Sequence, residues 1–160
     1  MRTHAQAVVI GGGVIGCSIL YHLTKLGWTD VVLLERDELT SGSTWHAAAN
    51  IHGLHDSTNI SRIQHYTMGL YKELEQETGQ GCGVFHPGSL YLAQTEAREH
   101  QLQVQAAKAK LYDMNFFEVS RAEAERLHPL VDFDGIRGIM WEPEGGNVDP
   151  SGVTNAYAAG

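Results

Sequence analysis

The stretch that most constrains this chain is Gly11-Gly12-Gly13-Val14-Ile15-Gly16. It has the spacing G-x-G-x-x-G. A short strand, Gln6 to Ile10, with its apolar run from Ala7, precedes it, and a helical pattern, Val14 to Leu26, follows. Gly27 stops that helix, and a second apolar run, Val31 to Leu34, comes next. Strand, helix and strand within about thirty residues make one right-handed βαβ unit. The helix is expected to present Ile15, Ile19, Leu20, Leu23 and Leu26 as its apolar face. The all-apolar strands are expected in a parallel sheet covered on both faces. Each motif glycine has a reason. Gly11 allows a tight turn off the strand, Gly13 lets the backbone approach a pyrophosphate, and Gly16 lets the helix pack closely on the sheet. The phosphates then meet the free N–H groups and the positive dipole end of the helix.

Glu35 ends the second strand, nineteen residues after Gly16. A carboxylate there accepts hydrogen bonds from ribose hydroxyls and repels a 2′-phosphate. Val14 and Ile15 at the helix start, and Arg36 beside the carboxylate, join Gly11, Gly13, Gly16 and Glu35 as cofactor-binding candidates. The motif alone does not separate FAD from NAD.

Further along, Asp37 to Ser43 reads as a polar loop and Thr44 to Ala49 as a small helix-compatible stretch. A helix is expected over Asn59–Thr78, with Ile60, Ile63, Thr67, Leu70 and Leu74 on one face and Gly79 as its stop. Gly88–Ala93 alternates as a strand, Thr95–Leu111 reads as a helix, and Phe116–Val119 as a short strand. Ser120 to Glu123 forms a capping box that opens a helix reaching His128. Ile136–Trp141 is another strand, Pro143–Pro150 a turn-rich loop, and a last helix follows. The pattern becomes less regular after Gly79. The fold expected is α/β: a Rossmann-like dinucleotide-binding segment over residues 5–80, then the start of a mixed α+β substrate-side domain over 81–160. The C-terminal end is expected to return toward the dinucleotide-binding domain. The last residues lie inside a helical pattern, so the chain reads as truncated, the N-terminal part of a longer protein.

The run Gly42-Ser43-Thr44-Trp45-His46-Ala47-Ala48 separates the cofactors. It begins seven residues past Glu35 and resembles the dimethylglycine and sarcosine dehydrogenase group of the D-amino-acid-oxidase-like FAD oxidoreductases. Glu75 to Gly79, His86 to Leu92, His128-Pro129-Leu130 and Gly146 to Ser151 are similar to that group as well. The resemblance implies FAD as cofactor, held covalently by His46 through the 8α-methyl carbon, with Ser43, Thr44 and Ala47 also at the cofactor. It implies oxidation of a small methylated amine, with hydride transfer from the N-methyl carbon to the flavin. One departure is clear: the group usually has Gly soon after His-Ala-Ala, and here Ala49 and Asn50 stand instead. Physically, the eleven residues from Glu35 to His46 reach at most ~36 Å, enough to run from ribose to flavin ring. A neutral imidazole is a competent nucleophile.

Other readings stay open. They are an FAD oxidase of another N-methyl or D-amino acid, a regulatory homologue that holds flavin without turnover, and an NAD-dependent Rossmann dehydrogenase that leaves the His46 run unexplained. The electron acceptor stays open between oxygen, an electron-transfer flavoprotein and a quinone. Related full-length enzymes carry a C-terminal folate-binding region, so tetrahydrofolate belongs only to chain beyond this sequence, and no catalytic acid or base is named within it. A metal triad of His46, His52 and His55 has no supporting carboxylate or cysteine pattern, and no metal is expected. Tyr91 and Trp141 are expected in the core and Cys17 as a small buried residue. A net charge of −8 argues against nucleic-acid partners, and no apolar run approaches membrane-span length. No secretory signal is visible, which points to the cytoplasm, or to the mitochondrial matrix in a eukaryote.

Overall fold

The structure is a computed structural model, and it describes residues 3–160. In chain order the elements are β1 (Ala7–Ile10), α1 (Val14–Lys25), β2 (Val31–Leu34), a 3₁₀ turn (Thr44–His46), β3 (Asn50–Ile51), α2 (Thr58–Thr78), β4 (Ser89–Ala93), α3 (Glu96–Leu111), β5 (Phe117–Glu118), α4 (Arg121–Leu127), β6 (Gly138–Glu142), β7 (Gly146–Asn147) and α5 (Pro150–Ala159). Contacts divide the chain into two compact units that interleave in sequence. Met1–Asn50, Gly69–Phe85 and Asn147–Gly160 form the first, and Ile51–Met68 and His86–Gly146 the second. The two-residue strands β3 and β7, invisible in the sequence pattern, lie where the chain crosses between units.

In the first unit β1 and β2 pair in parallel, Ala7 opposite Val31 through Ile10 opposite Leu34. Gly11 N–H continues the ladder to the Leu34 carbonyl at 2.8 Å. This is the strand–helix–strand unit expected, with both strands and the helix start at the expected residues. The buried face of α1 is a different one. Gly16, Cys17 and Tyr21 are buried, whereas Ile15 is 71% exposed, Ile19 46% and Leu26 76%. The reason is α5, which packs on α1 and brings Tyr157 to 5.4 Å from the Tyr21 ring. Cys17, Tyr21, Leu70, Tyr71, Leu74, Cys82, Val153, Ala156 and Tyr157 form the core of this unit. The strands are not covered on both faces, for Val8, Ile10 and Leu34 are exposed.

Helix α2 spans one residue more than expected, and Gly79, at φ +71°, ends it. Leu70 and Leu74 are buried, but Ile60 and Ile63 at its start are exposed, so its apolar stripe is used only toward the C-terminal end.

The second unit is built on an antiparallel sheet ordered β4-β6-β5. Tyr91 pairs with Met140 and Leu92 with Ile139, so alternate residues serve opposite faces. On one face Ala93, Met140, Leu102 and Ala109 of α3, Met114 and Phe116 cluster with Leu54. On the other, Ile139 packs with Ala124 of α4 and Phe133, and Leu90 and Leu92 join them. Ser120 caps α4 by accepting from Glu123 N–H at 3.2 Å. The reciprocal half of the box does not form, because the Glu123 carboxylate pairs with Arg126 at 2.7 Å. Trp141 fills the space over Gly88, where φ is +83° and a Cβ would collide with the indole.

One polar group is sunk in this unit. The Glu142 carboxyl group is 2% exposed and accepts from Gly53 N–H at 2.7 Å and Tyr91 O–H at 2.6 Å. Burial, then the bond to Glu142, pushes the Tyr91 hydroxyl well above its usual range. Tyr91→Phe takes one of the two donors from a buried acceptor, and a loss of about 2 kcal/mol in denaturant stability is expected.

Candidate functional site

The site begins at the turn after β1. Gly11 has φ +109°, a conformation that favours glycine. A Cβ on Gly16 would be driven into the Gly11 carbonyl oxygen, so the third glycine admits the helix against the turn itself. At Gly12 a Cβ would stand 2.5 Å from Leu39 Cδ2 and 3.0 Å from Glu35 Cβ. Gly13 is the N-cap of α1 and offers no side-chain cap, and no acidic residue sits in the first helical turn. An anion at this helix end therefore meets backbone N–H groups and no acidic side chain of the first helical turn.

Glu35 closes the cradle from β2. One carboxylate oxygen accepts Gly12 N–H at 2.6 Å, and the other accepts Arg36 N–H at 2.7 Å and Asp37 N–H at 3.1 Å. The Gly12 bond, followed by those of Asp37 and Arg36, holds the Glu35 carboxyl below its ordinary value. The expected ribose acceptor is thus also the organiser of the turn, a role the spacing did not reveal. Arg36 contributes its backbone N–H to this arrangement.

From Asp37 the loop doubles back over the glycine turn. Thr40 N–H donates to the Gly12 carbonyl at 3.0 Å, and Thr40 Oγ1 accepts from Ser151 Oγ of α5 at 3.3 Å. Thr44 Oγ1 accepts Val14 N–H at 3.0 Å. The expected helical stretch 44–49 is a single 3₁₀ turn, Thr44–His46, with Ser43 before it and Ala47 N–H closing it onto the Thr44 carbonyl at 3.1 Å. The chain then turns at Ala49, where φ is +56°, and Val148 N–H donates to the Ala49 carbonyl at 3.1 Å.

His46 is exposed at the end of that turn. Its Nδ1 lies 3.1 Å from the Gly42 carbonyl oxygen. A carbonyl only accepts, so Nδ1 carries the proton and the neutral ring keeps its lone pair on Nε2. Trp45 repeats the pattern one residue earlier, its Nε1–H donating to the Ser41 carbonyl at 3.2 Å. The indole and imidazole centroids are 3.8 Å apart.

The other histidines singled out from the sequence belong to the second unit and are engaged separately. His52 Nε2 lies 3.4 Å from the Gln64 amide nitrogen, and His55 Nδ1 accepts Ser57 N–H at 3.0 Å. His86 Nδ1 donates to the Glu144 carbonyl at 2.7 Å, and its Nε2 is buried. Among the described residues no group of three His, Cys, Asp or Glu side chains is placed to hold a metal ion, and no helix is long and apolar enough to cross a membrane.

The profile of the DAO family, FAD dependent oxidoreductases, matches residues 6–160. The chain is 39% identical over 159 residues to the mitochondrial dimethylglycine dehydrogenase of Rattus norvegicus, covering 99% of this chain and 19% of that protein. It is 38% identical over 155 residues to the mitochondrial sarcosine dehydrogenase of Homo sapiens, covering 96% of this chain and 17% of that one. It therefore spans about a fifth of the length of these relatives. The crystal structure of L-proline dehydrogenase from P. horikoshii superposes with a TM-score of 0.89 at 25% identity, over 99% of this chain and 41% of that chain.

Two outcomes are expected from this geometry. Ala49→Gly releases an alanine from left-handed backbone and should raise stability by roughly 0.5–1 kcal/mol, after the entropic cost of glycine. A fall in the denaturation midpoint would contradict it. For Glu35 the folded carboxyl titrates below its ordinary 4.5, so its stabilisation is complete above that pH and is lost as pH falls through the folded value. Glu35→Gln should therefore lower the thermal midpoint at pH 7 and flatten its decline as the pH falls below 4.5.

Proposed function

The chain belongs to the DAO family of FAD dependent oxidoreductases, and from that premise we propose that it is the FAD-holding part of an enzyme that oxidises N-methylated amino acids such as dimethylglycine or sarcosine. In this reading His46 ties the flavin covalently to the chain. The observation that carries it is the His46 ring, exposed, with its proton fixed on Nδ1 by the Gly42 carbonyl and its Nε2 lone pair free. The similarity over nearly the whole chain to dimethylglycine and sarcosine dehydrogenases supports the substrate class.

The residues present fit the group. Space is open over Gly11 at the end of α1, with N–H groups of Ile15 and Gly16 at the helix start for a pyrophosphate. Glu35 faces the ribose position while bracing the Gly12 turn. Thr44 and Ser43 lead the chain from the helix end to His46. When bound, FAD would supply the hydride acceptor for oxidation at the N-methyl carbon, and tetrahydrofolate as a one-carbon acceptor would need residues other than these. Trp45 covers one side of the His46 ring and fixes its plane. The relatives named above are mitochondrial, which supports the matrix as the compartment in a eukaryote. An electron-transfer flavoprotein is the acceptor we propose for a dehydrogenase.

The test is acid precipitation of the full chain, wild type beside His46→Ala. Flavin should stay in the wild-type pellet and leave the variant. Anaerobic addition of dimethylglycine or sarcosine should then bleach the bound flavin. Flavin released from both proteins removes the covalent link. Acid-stable flavin that no methylated amine bleaches leaves a regulatory homologue, and protein without flavin returns the NAD reading.

A further inference from the structure

The loop that carries His46 is long and polar, and its hydrogen bonds are mostly local. Between Ser41 and Ala48, Trp45 reaches back to Ser41, His46 to Gly42 and Ala47 to Thr44. Among the described residues one hydrogen bond in this stretch leaves the loop: Thr44 Oγ1 accepting Val14 N–H, the first N–H of α1, at 3.0 Å across thirty residues of sequence. The fit is close on the facing side as well. A Cβ on Gly13 would stand 2.9 Å from Thr44 Oγ1, so the second motif glycine also admits this hydroxyl. Thr44 and His46 are the two ends of one 3₁₀ turn, and the spacing between them is fixed by the Ala47-to-Thr44 bond.

We propose that Thr44 is the positioning residue for flavin attachment: its hydroxyl pins the His46 turn to the helix end that receives the pyrophosphate. The proposal rests on the reading of His46 as the attachment residue. The step it serves forms a bond between His46 Nε2 and the 8α carbon and breaks one C–H bond of the 8α methyl. That hydrogen and the imidazole proton leave with two electrons, which pass to dioxygen and give hydrogen peroxide. Thr44 touches neither reacting atom. It limits where Nε2 stands relative to a cofactor whose phosphates are held by the same helix end, and attachment depends on that alignment.

The experiment uses the full chain in its apo form, prepared without riboflavin supply. FAD is added in air. Binding is read at once by quenching of flavin fluorescence, and attachment is read over time as acid-precipitable flavin. Thr44→Val, Thr44→Ala and Thr44→Ser are compared with wild type and His46→Ala. Thr44→Val and Thr44→Ala should bind FAD yet attach it roughly tenfold more slowly, as the loss of one orienting hydrogen bond implies. Thr44→Ser, which keeps the hydroxyl, should recover most of the wild-type rate. Attachment at the wild-type rate in Thr44→Ala or Thr44→Val overturns the proposal. So does failure of both to bind FAD while Thr44→Ser binds, which makes Thr44 part of the phosphate cradle instead. A wild type that binds FAD and never attaches it overturns the His46 reading, and this proposal with it.

Discussion

The first unit depends on the contact between the Gly11 carbonyl and the Cα of Gly16. With no side chain at residue 16, α1 starts directly on the turn that ends β1. A methyl group there would push the start of α1 away from Gly12, whose own N–H is fixed by Glu35. Turn, helix end and carboxylate are thus held as one body. In the FAD reading proposed above, the phosphate and ribose sites share a single set of backbone constraints.

That body also receives the loop. Leu39 lies over Gly12, Thr40 holds the Gly12 carbonyl, and Thr44 holds the Val14 N–H. Successive positions of the glycine turn are therefore paired with successive positions of the loop. The far end is secured by α5 and its approach, through Ser151 on Thr40 and Val148 on Ala49. The left-handed Ala49 aims its carbonyl at Val148, a conformation glycine would adopt more easily. Burial and backbone pairing elsewhere maintain that strain.

Local chemistry explains what the sequence disclosed. The strand, glycine turn, helix and second strand were legible to within a residue because each signal sits inside the element it specifies: apolar runs, glycine spacing and the stop at Gly27. The Ser120 cap was legible for the same reason, whereas Thr95, read as the first residue of its helix, is the N-cap of α3. The buried face of α1 was not. Ile15 and Ile19 are more apolar than Cys17 and Tyr21, but the choice of face is made by α5, more than a hundred residues later. The interleaving of the two units and the strands β3 and β7 depend on pairing between distant segments and leave no periodic trace. Glu35 was found by its spacing, whereas its three backbone bonds are a property of the folded turn.

The histidines illustrate the same limit at the scale of one ring. Of the nine histidines, the hydrogen bonds distinguish His46, His52, His55 and His86. At His55 a backbone N–H occupies Nδ1, which places the ring proton on Nε2. At His52 the Gln64 amide nitrogen stands against Nε2. At His86 Nε2 keeps its lone pair but is buried. His46 combines a proton held on Nδ1 with an exposed Nε2, and a nucleophile toward an external electrophile requires both. The carbonyl that fixes this tautomer belongs to Gly42, inside the run that first drew attention to the residue. The motif therefore encodes more than a histidine at a distance from a carboxylate: its backbone also selects which nitrogen keeps its lone pair.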